Sequence, residues 1–318
     1  MRLRRATRAQ LAGETGLSTM TIGKLLADME ACGEVERGGT ARAGSGRPST
    51  IACYRSDYAY FAAITVEQKD GKSAFTMCIH DLFGDVAMRE KMLLDHVDAT
   101  SFDGFFDQAI TRGFRIALAV FVLPGVAEGE RIVSCDLQAL AEGQLLRRIR
   151  SRFGVEVLFE NDVNAAVYGH AFSENGGKVY AGMYFPRNYC PGAGAVIGGE
   201  ILRGSRHFAG EIGNIHGESA WMTLDYDDTE RTAEMIAQML VVYACTIAPA
   251  GMVLYGDFFT VVLRRVIRER FEAQMHGRFD MKLSYRTSMA GDMETGAMRL
   301  GLEAMLTLLD ENTGRTRG

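Results

Sequence analysis

Three polar residues, Glu160-Asn161-Asp162, directly follow a short apolar segment at residues 155–159. That segment predicts a β-strand, and residues 164–170 then predict a helix. Ligands of α/β folds bind at the carboxyl ends of strands, so we expect these side chains to face a cleft. A carboxylate beside an amide can accept hydrogen bonds from adjacent hydroxyls and donate to them, which suits a polyol.

A second set of polar residues lies near the N-terminus, in a pattern typical of a helix-turn-helix. Residues 7–12 predict a short helix, and Gly16-Leu17-Ser18 predicts a tight turn in which the glycine supplies a positive φ. Ser18 is a suitable N-cap for the second helix, because its hydroxyl can accept from a free backbone N–H. The apolar residues that recur at helical spacing in this second helix are Ile22, Leu25, Leu26 and Met29.

The apolar spacing leaves polar side chains on the outer face, near the start of the second helix. A recognition helix presents this part to base edges and phosphates. Residues 34–37 predict a strand and residues 38–48 a glycine-rich wing, so the pattern indicates a winged helix-turn-helix. The alternative is a helical hairpin used for dimerisation. The residues that we expect to contact DNA are Arg8, Ser18, Thr19, Met20, Thr21, Lys24 and Arg47.

Two features of this head allow more than one interpretation. An arginine between glycine and proline, as at Arg47, can enter a narrow A·T-rich minor groove. The same Gly, Ser and Pro composition of residues 44–49 is equally ordinary for a domain linker. Heads of this kind also usually open with another helix, and only about six residues precede Thr7. Either the natural start lies upstream of Met1 or the head is reduced.

Charge is distributed unevenly along the chain. The net charge is −5, and residues 1–55 carry nine Arg or Lys against five Asp or Glu, which gives +4. The remaining residues therefore carry −9. A basic head on an acidic body is expected of a nucleic-acid reader joined to a part that does not touch DNA, although a window of this length can reach +4 by chance.

Composition excludes several classes of protein. The 318-residue chain has no apolar run long enough to span a membrane, and no apolar core of a signal peptide follows the basic N-terminus. The six cysteines are scattered and none forms a C-x-x-C pair, which argues against a zinc knuckle or redox motif. We therefore expect a cytoplasmic protein with no membrane partner.

The rest of the chain predicts a mixed α/β body, because strands are followed by alternating strands and helices. The predicted elements are strands at residues 60–66 and 74–79 with a hairpin turn at 69–71, a third strand after residue 85, helices at 101–113 and 137–153, and a buried strand at 116–123.

With these features the chain resembles the ROK proteins (repressor, open reading frame, kinase) over essentially its whole length. The motifs that carry the resemblance are Gly46-Arg47-Pro48, Pro124-Gly125-Val126, Glu160-Asn161-Asp162-Val163-Asn164-Ala165-Ala166, Gly192-Ala193-Gly194, Arg203-Gly204 and Ala209-Gly210-Glu211-Ile212-Gly213.

The resemblance implies an α/β fold with an N-terminal winged helix-turn-helix and a two-lobed, actin-like body of the sugar kinase type. The implied divisions are a DNA-binding domain at residues 1–55, a first lobe at 56–160 and a second lobe at 161–292. The last helix, at residues 293–310, is expected to pack back on the first lobe.

The resemblance also assigns roles to single residues. Asn161, Asp162 and Glu211 match residues that hydrogen-bond sugar hydroxyls in relatives, and Asp162 matches their general base. Asn214 stands where relatives have a ligand-facing histidine. We expect these four residues to bind an effector; the alternative is that they remain only as caps and strand-end hydrogen bonds.

Departures from the family pattern indicate that the chain is not an enzyme and uses no cofactor. The first phosphate loop lacks paired glycines and contains Glu67, which would repel a phosphate. In the second, Pro191 removes a donor N–H, and the adenosine-side glycine pair is reduced to Gly256. The zinc signature of relatives is also missing, because residues 215–228 contain no cysteine and His216 stands alone. We expect no bound metal and no catalytic residues.

The combined expectation is a transcriptional regulator, and more specifically a repressor. It would bind double-stranded operator DNA as a homodimer or tetramer and sense a sugar or sugar derivative without phosphorylating it. Two alternatives stay open: a DNA-binding or partner-binding protein that has no effector, and an ATP-dependent sugar kinase.

Overall fold

The computed structural model describes residues 4–41, 49–69, 71–137, 139–140, 144–174 and 178–312. The strands are β1 Arg5–Thr7, β2 Val35–Ala41, β3 Ser49–Tyr54, β4 Tyr60–Lys69, β5 Lys72–Asp81, β6 Val86–Leu94, β7 Ile116–Leu123, β8 Gly125–Glu128, β9 Arg131–Cys135, β10 Glu156–Asn161, β11 Tyr180–Tyr184, β12 Gly192–Ile197, β13 Glu200–Ile201, β14 Gly251–Tyr255 and β15 Lys282–Arg286. The helices are α1 Arg8–Thr15, α2 Thr19–Cys32, α3 Asp103–Thr111, α4 Leu145–Phe153, α5 Asp162–Ser173, α6 Gly213–His216, α7 Glu218–Met222, α8 Thr229–Thr246, α9 Val261–Met275 and α10 Ala290–Asn312.

The N-terminal head packs two helices against a three-stranded sheet of order β1-β3-β2. Helix α1 begins after Thr7 because Thr7 and Gln10 form a reciprocal capping box. Helix α2 begins after Ser18, whose hydroxyl accepts from the Thr21 N–H at 3.1 Å, and it ends at Gly33 with a φ of +81°. The predicted caps and the turn between the two helices are therefore present.

Two details of the head differ from the sequence expectation. Helix α1 runs to Thr15 rather than ending at residue 12, and the residues before it, for which no element was predicted, form strand β1. Strand β1 pairs antiparallel with β3, which gives its backbone groups partners without a helix. Residues 42–48, and with them the predicted wing arginine Arg47, lie outside the described residues.

The body contains two five-stranded sheets. In the first, of order β10-β7-β4-β5-β6, strands β4, β7 and β10 are parallel, and β4 to β6 form an antiparallel meander. The second has the order β13-β12-β11-β14-β15. A two-stranded hairpin of β8 and β9 leaves the carboxyl end of β7. The expected mixed α/β body is observed, with β4 and β5 longer than predicted.

One predicted helix is shorter in the structure. A helix was expected over residues 137–153; in the structure residues 139–140 are helical and a separate helix, α4, begins at Leu145. Gln144 has a φ of 53°, a left-handed backbone that cannot continue a right-handed helix. The sequence pattern was misleading because Leu140 is buried beside Leu145 and Leu146, so apolar spacing continues across the break.

The helices of the body lie in three layers, one outside each sheet and one between the two sheets. Helices α3 and α4 cover the outer face of the first sheet, and α8 and α9 cover the outer face of the second. Helices α5 and α10 lie between the sheets, in a core that both sheets share. Residues 162–171 of α5 are all buried, which explains why this helix has no polar face.

Helices α5 and α10 approach each other to backbone contact. A Cβ atom on Gly169 of α5 would lie 1.9 Å from the carbonyl oxygen of Asp292, and one on Gly296 of α10 would lie 1.9 Å from that of Ala165. No side chain fits at either position, and rigid backbone stands in the way. Glycine is therefore required at both crossing points.

Replacing Gly296 with alanine should destabilise the fold. The added methyl group forces α10 away from α5, and overpacking of this kind costs about 1–3 kcal/mol. Urea unfolding of Gly296→Ala is expected to show a lower midpoint than the wild type. The matched control is Gly104→Ala, on an exposed turn of α3 with no heavy atom within 4 Å of the new Cβ. That control should be neutral or slightly stabilising, and equal midpoints for both variants would contradict the packing described.

Candidate effector cleft and DNA-facing helix

A cleft lies between the two sheets, at the carboxyl ends of β7 and β10. The hairpin at residues 125–127, the end of β10 and the start of α5 line one side. The start of β12 and the segment at residues 203–211 line the other. Strand ends of both sheets therefore deliver polar side chains to the same space, as expected from the Glu160-Asn161-Asp162 motif.

Glu160 and Arg203 form an ion pair across this cleft. Arg203 donates to Glu160 Oε2 from Nη2 at 2.6 Å and from Nε at 3.0 Å. Glu160 is only 4% exposed, and its Oε1 accepts from the Asn161 N–H and from Asn164 Nδ2. A buried charge needs this kind of full pairing. The sequence motif gave no indication that Arg203 would be the partner.

Asn161 caps helix α5. Its Oδ1 accepts from the backbone N–H groups of Val163 at 3.0 Å and Asn164 at 3.1 Å, and its Nδ2 donates to the Gly125 carbonyl at 3.3 Å. This arrangement corresponds to the alternative interpretation of the motif, in which the amide serves as a cap. One Nδ2 hydrogen remains for a ligand, because an amide nitrogen carries two.

Asp162 is buried at the first turn of α5, with 6% exposure. Its Oδ1 accepts from the Val163 N–H at 2.9 Å. Burial raises the pKa of Asp162 to about 7, and the Asp136 carboxylate adds to the increase. The group that resembles a general base is therefore poised near neutrality, where a carboxyl can exchange a proton.

Asp136 is a site residue that the sequence did not reveal. It lies just after β9, where its backbone N–H donates to the Pro124 carbonyl at 3.0 Å. Burial raises its own pKa, and its charge also raises the pKa of Glu211. Asp136 belongs to no sequence motif and immediately precedes a predicted helix, so the sequence did not mark it as a site residue. The hairpin of β8 and β9 places it near Asp162.

The remaining predicted effector residues lie on the second-sheet side. Glu211 lines the cleft, and burial is the main cause of its raised pKa. Asn214 is exposed in α6 and donates from Nδ2 to the Glu211 carbonyl at 3.2 Å. Of the four predicted residues, Asn161 and Glu211 line the cleft, whereas Asp162, buried at the start of α5, and Asn214 are not among its lining residues.

The predicted DNA-contacting residues share one exposed face of the head. Ser18, Thr19, Thr21 and Lys24 are exposed, and Met20 is 85% exposed, whereas Ile22 and Leu26 are buried. The guanidinium of Arg8 lies over α2, 3.3 Å from the position that a Cβ on Gly23 would occupy. The described residues of this set are therefore exposed at or near the start of α2.

The positions that resemble nucleotide loops have other structures here. Strands β4 and β5 pair as far as Lys69 and Lys72, so a tight hairpin stands where relatives have a phosphate loop. Arg187 donates to Asp257 at 3.0 Å, which ties the end of β11 to the end of β14. Beside Asp257, the ring of Phe258 packs 4.1 Å from that of Tyr226.

Residues 214–228, which correspond to the zinc-binding segment of relatives, do not fit a zinc site. Within the described ranges, no group of three His, Cys, Asp or Glu side chains is placed to hold a metal ion. The ring of His216 instead packs edge-on against Trp221, 5.6 Å away.

Among the described helices, none combines the length and apolar character needed to cross a membrane.

Comparison with known proteins agrees with this architecture. Residues 103–229, which include the hairpin, the cleft motif and the segment of Glu211, match the model of the ROK family. This part of the chain is therefore similar to ROK family domains. A protein named "Putative xylose repressor", from Caldicellulosiruptor sp. (strain Rt8B.4), is 38% identical over 109 residues. That alignment covers 33% of this chain and 25% of the repressor, so the chain matches about a quarter of its length.

Solved structures show the same fold at low sequence identity. A ROK family transcriptional regulator, a homologue of the E. coli MLC protein, superposes with a TM-score of 0.66 and 16% identity over 96% of this chain and 94% of its own. A ROK protein from Streptococcus pneumoniae TIGR4 in complex with sucrose gives 0.63 and 14% identity, over 78% and 99%. The ROK hexokinase from Thermus thermophilus gives 0.58 and 15%, over 76% and 99%. The body therefore has the ROK sugar-kinase-like fold, with a head consistent with a winged helix-turn-helix.

The raised pKa of Asp162 predicts a pH-dependent effect of Asp162→Asn on stability. Between about pH 4 and 7 the folded protein keeps a proton that the unfolded chain releases, so the contribution of Asp162 to stability falls as the pH rises through this window. The amide cannot ionise. The Tm of Asp162→Asn should therefore exceed that of the wild type at pH 8, and the difference in Tm should be smaller at pH 5.

Thermal melts of both proteins at the two pH values measure this effect. Asp227→Asn, at an exposed residue that forms no ion pair within the described ranges, is the matched control and should show no such pH dependence. A Tm difference for Asp162→Asn that is the same at pH 5 and pH 8 would contradict the burial of an ionisable Asp162.

Proposed function

We propose that this protein is a DNA-binding transcriptional regulator of the ROK type that acts as a repressor. Its cleft senses a sugar or sugar derivative and does not phosphorylate it. The observation that carries the proposal is the exposed start of α2 on a head of two helices and a three-stranded sheet. This head is joined to a body of ROK fold whose nucleotide positions are occupied by a tight hairpin, an ion pair and packed aromatic rings.

The head supports DNA binding in two ways. The first turn of α2 combines exposed hydroxyls with free backbone N–H groups at a helix N-terminus, which favours phosphate. We assign Arg8, Ser18, Thr19, Met20, Thr21, Lys24 and Arg47 to the DNA interface. The match to the ROK regulator covers 96% of the chain and must include most of residues 1–55, whereas the hexokinase match covers 76%.

A sugar kinase is the less supported function, although the family includes kinases. Each charge-assisted phosphate contact is worth about 1.5–3 kcal/mol, and the tight hairpin, Pro191 and the Arg187–Asp257 pair replace several of them. ATP with magnesium should therefore leave the Tm unchanged, since a ligand that binds the folded state raises it. A coupled ATPase assay with a panel of hexoses is expected to show no turnover, and sugar-dependent ADP release would establish the kinase instead.

The cleft supports a polyol effector. Asn161 and Glu211 bring an amide and a carboxylate to one space, Asp162 follows Asn161 at the start of α5, and Asn214 donates to the Glu211 carbonyl. A relative with this fold has been solved with sucrose bound. We propose that these residues hold the effector and that two heads of a homodimer or tetramer bind a palindromic operator together.

Lys24→Ala should weaken DNA binding without changing stability. The ammonium of Lys24 is exposed at the proposed interface, so its loss should reduce the slope of log affinity against log salt concentration by about 1. Fluorescence anisotropy with DNA from upstream of the protein's own gene measures this slope. Lys91→Ala removes an equally exposed lysine from β6 of the body and is the matched control. Identical slopes for the two variants would contradict the assignment of α2 to the DNA interface.

A further inference from the structure

The charged groups around the cleft are mostly acidic. Glu160 and Glu211 line it, and Asp136 lies near enough to Asp162 and Glu211 for its charge to raise the pKa of both. Arg203 is the one guanidinium among the lining residues that the structure describes. Glu160 accepts hydrogen bonds from Nε and Nη2 of Arg203. The other three carboxyl groups have no arginine or lysine near enough to lower their pKa. With all four carboxyl groups ionised, the charges of Glu160, Asp136, Asp162, Glu211 and Arg203 add up to −3.

Further groups that face these carboxyls do not neutralise them. Asp162 lies near the Cys135 thiol and the Tyr184 hydroxyl, and Glu211 lies near Cys190. The pKa of each of these thiol and hydroxyl groups is raised by burial, so none of them supplies a positive charge. His207 lines the opposite wall.

Asn164 supplies an independent indication of a ligand. It lines the same cleft and is only 8% exposed. Its Nδ2 donates to Glu160, but its Oδ1 is buried without a hydrogen-bond donor. Buried acceptors of this kind are normally paired, so a donor is missing from the described part of the site. Asp162 adds a carboxylate of which only Oδ1 has a hydrogen-bond partner.

We infer that the effector is a cationic polyol, and specifically an amino sugar with a free ammonium group. The inference rests on the proposed sensing function and adds the charge of the ligand to it. An ammonium group brings three donors to acceptors that lack them and offsets the repulsion among Asp136, Asp162 and Glu211. A neutral hexose offers hydroxyl donors but leaves the repulsion in place. A sugar phosphate or sugar acid adds negative charge to it.

Calorimetric titration of the full chain at pH 7 tests this inference. The probes are glucosamine, galactosamine and mannosamine, each compared with its parent hexose and its N-acetyl derivative. At least one amine should bind about tenfold more tightly than both of its neutral counterparts, a difference of about 1.4 kcal/mol. Binding should also release protons, because the ammonium group lowers the pKa of the nearby carboxyls; titrations in two buffers of different ionisation enthalpy detect the release.

Asp136→Asn should reduce the preference for the amine to less than about threefold, since it removes one of the three unpaired charges. Asp227→Asn removes the same charge at an exposed position outside the cleft and should keep the preference. A neutral or N-acetylated sugar that binds as tightly as its amine overturns the inference and leaves sugar sensing standing. Tightest binding of a sugar phosphate, or equally tight binding of spermidine, also overturns it. If none of the sugars binds while the protein still selects its operator, the inference and the effector are lost but the regulator remains.

Discussion

The backbone contact between α5 and α10 fixes the position of almost every functional group in the body. Both helices lie between the two sheets, and glycines at residues 169 and 296 let them touch without intervening side chains. Helix α5 begins at the cleft, so the same contact holds the cap residue Asn161 and the buried Asp162 in place. A looser crossing would move the polar ends of the first sheet away from Arg203 and Glu211 on the second.

Buried polar groups strengthen this junction. The Tyr255 hydroxyl donates to Asp292 Oδ2 at 2.8 Å, and His170 Nδ1 lies 3.4 Å from the same oxygen. Burial acts to raise the pKa of Asp292, but the neighbouring His170 and the hydrogen bond from Tyr255 outweigh it and lower the pKa. The second sheet, α5 and α10 are therefore joined by specific hydrogen bonds as well as by close packing.

Helix α10 also contacts the turn at residues 81–85, and this turn contacts the head. Gly84 in that turn lies against Met298 of α10, and Phe83 beside it contacts Arg4 and Tyr54 of the head. Arg4 additionally pairs with Asp85 at 3.2 Å. Helix α10 thus contacts both α5, which begins at the cleft, and the turn at residues 81–85 that contacts the head. A shift of α10 on the first sheet would therefore also move the turn at residues 81–85 that contacts the head.

The sequence predicted the features that depend on local chemistry. Helix caps at Ser18 and Gly33, apolar spacing along α2 and the strand before Glu160 follow from neighbouring residues, and the structure contains them. Contacts between distant segments were not visible in the sequence. Asp136 lies near Asp162 only because β8 and β9 fold back as a hairpin. Arg203 follows the second sheet and pairs with Glu160 at the end of a strand of the first sheet. The start of α4 was placed wrongly because a left-handed residue leaves no mark in apolar spacing.

The most direct test of the central claim is hydroxyl-radical footprinting of the full chain on DNA from upstream of its own gene. A dimeric winged-helix regulator should protect two half-sites related by a twofold axis, with centres about one helical turn (or a whole number of turns) apart. The protection should disappear as the salt concentration is raised. Uniform cleavage of upstream and scrambled DNA at low salt would contradict the account, because the exposed face of α2 would then have no operator to read.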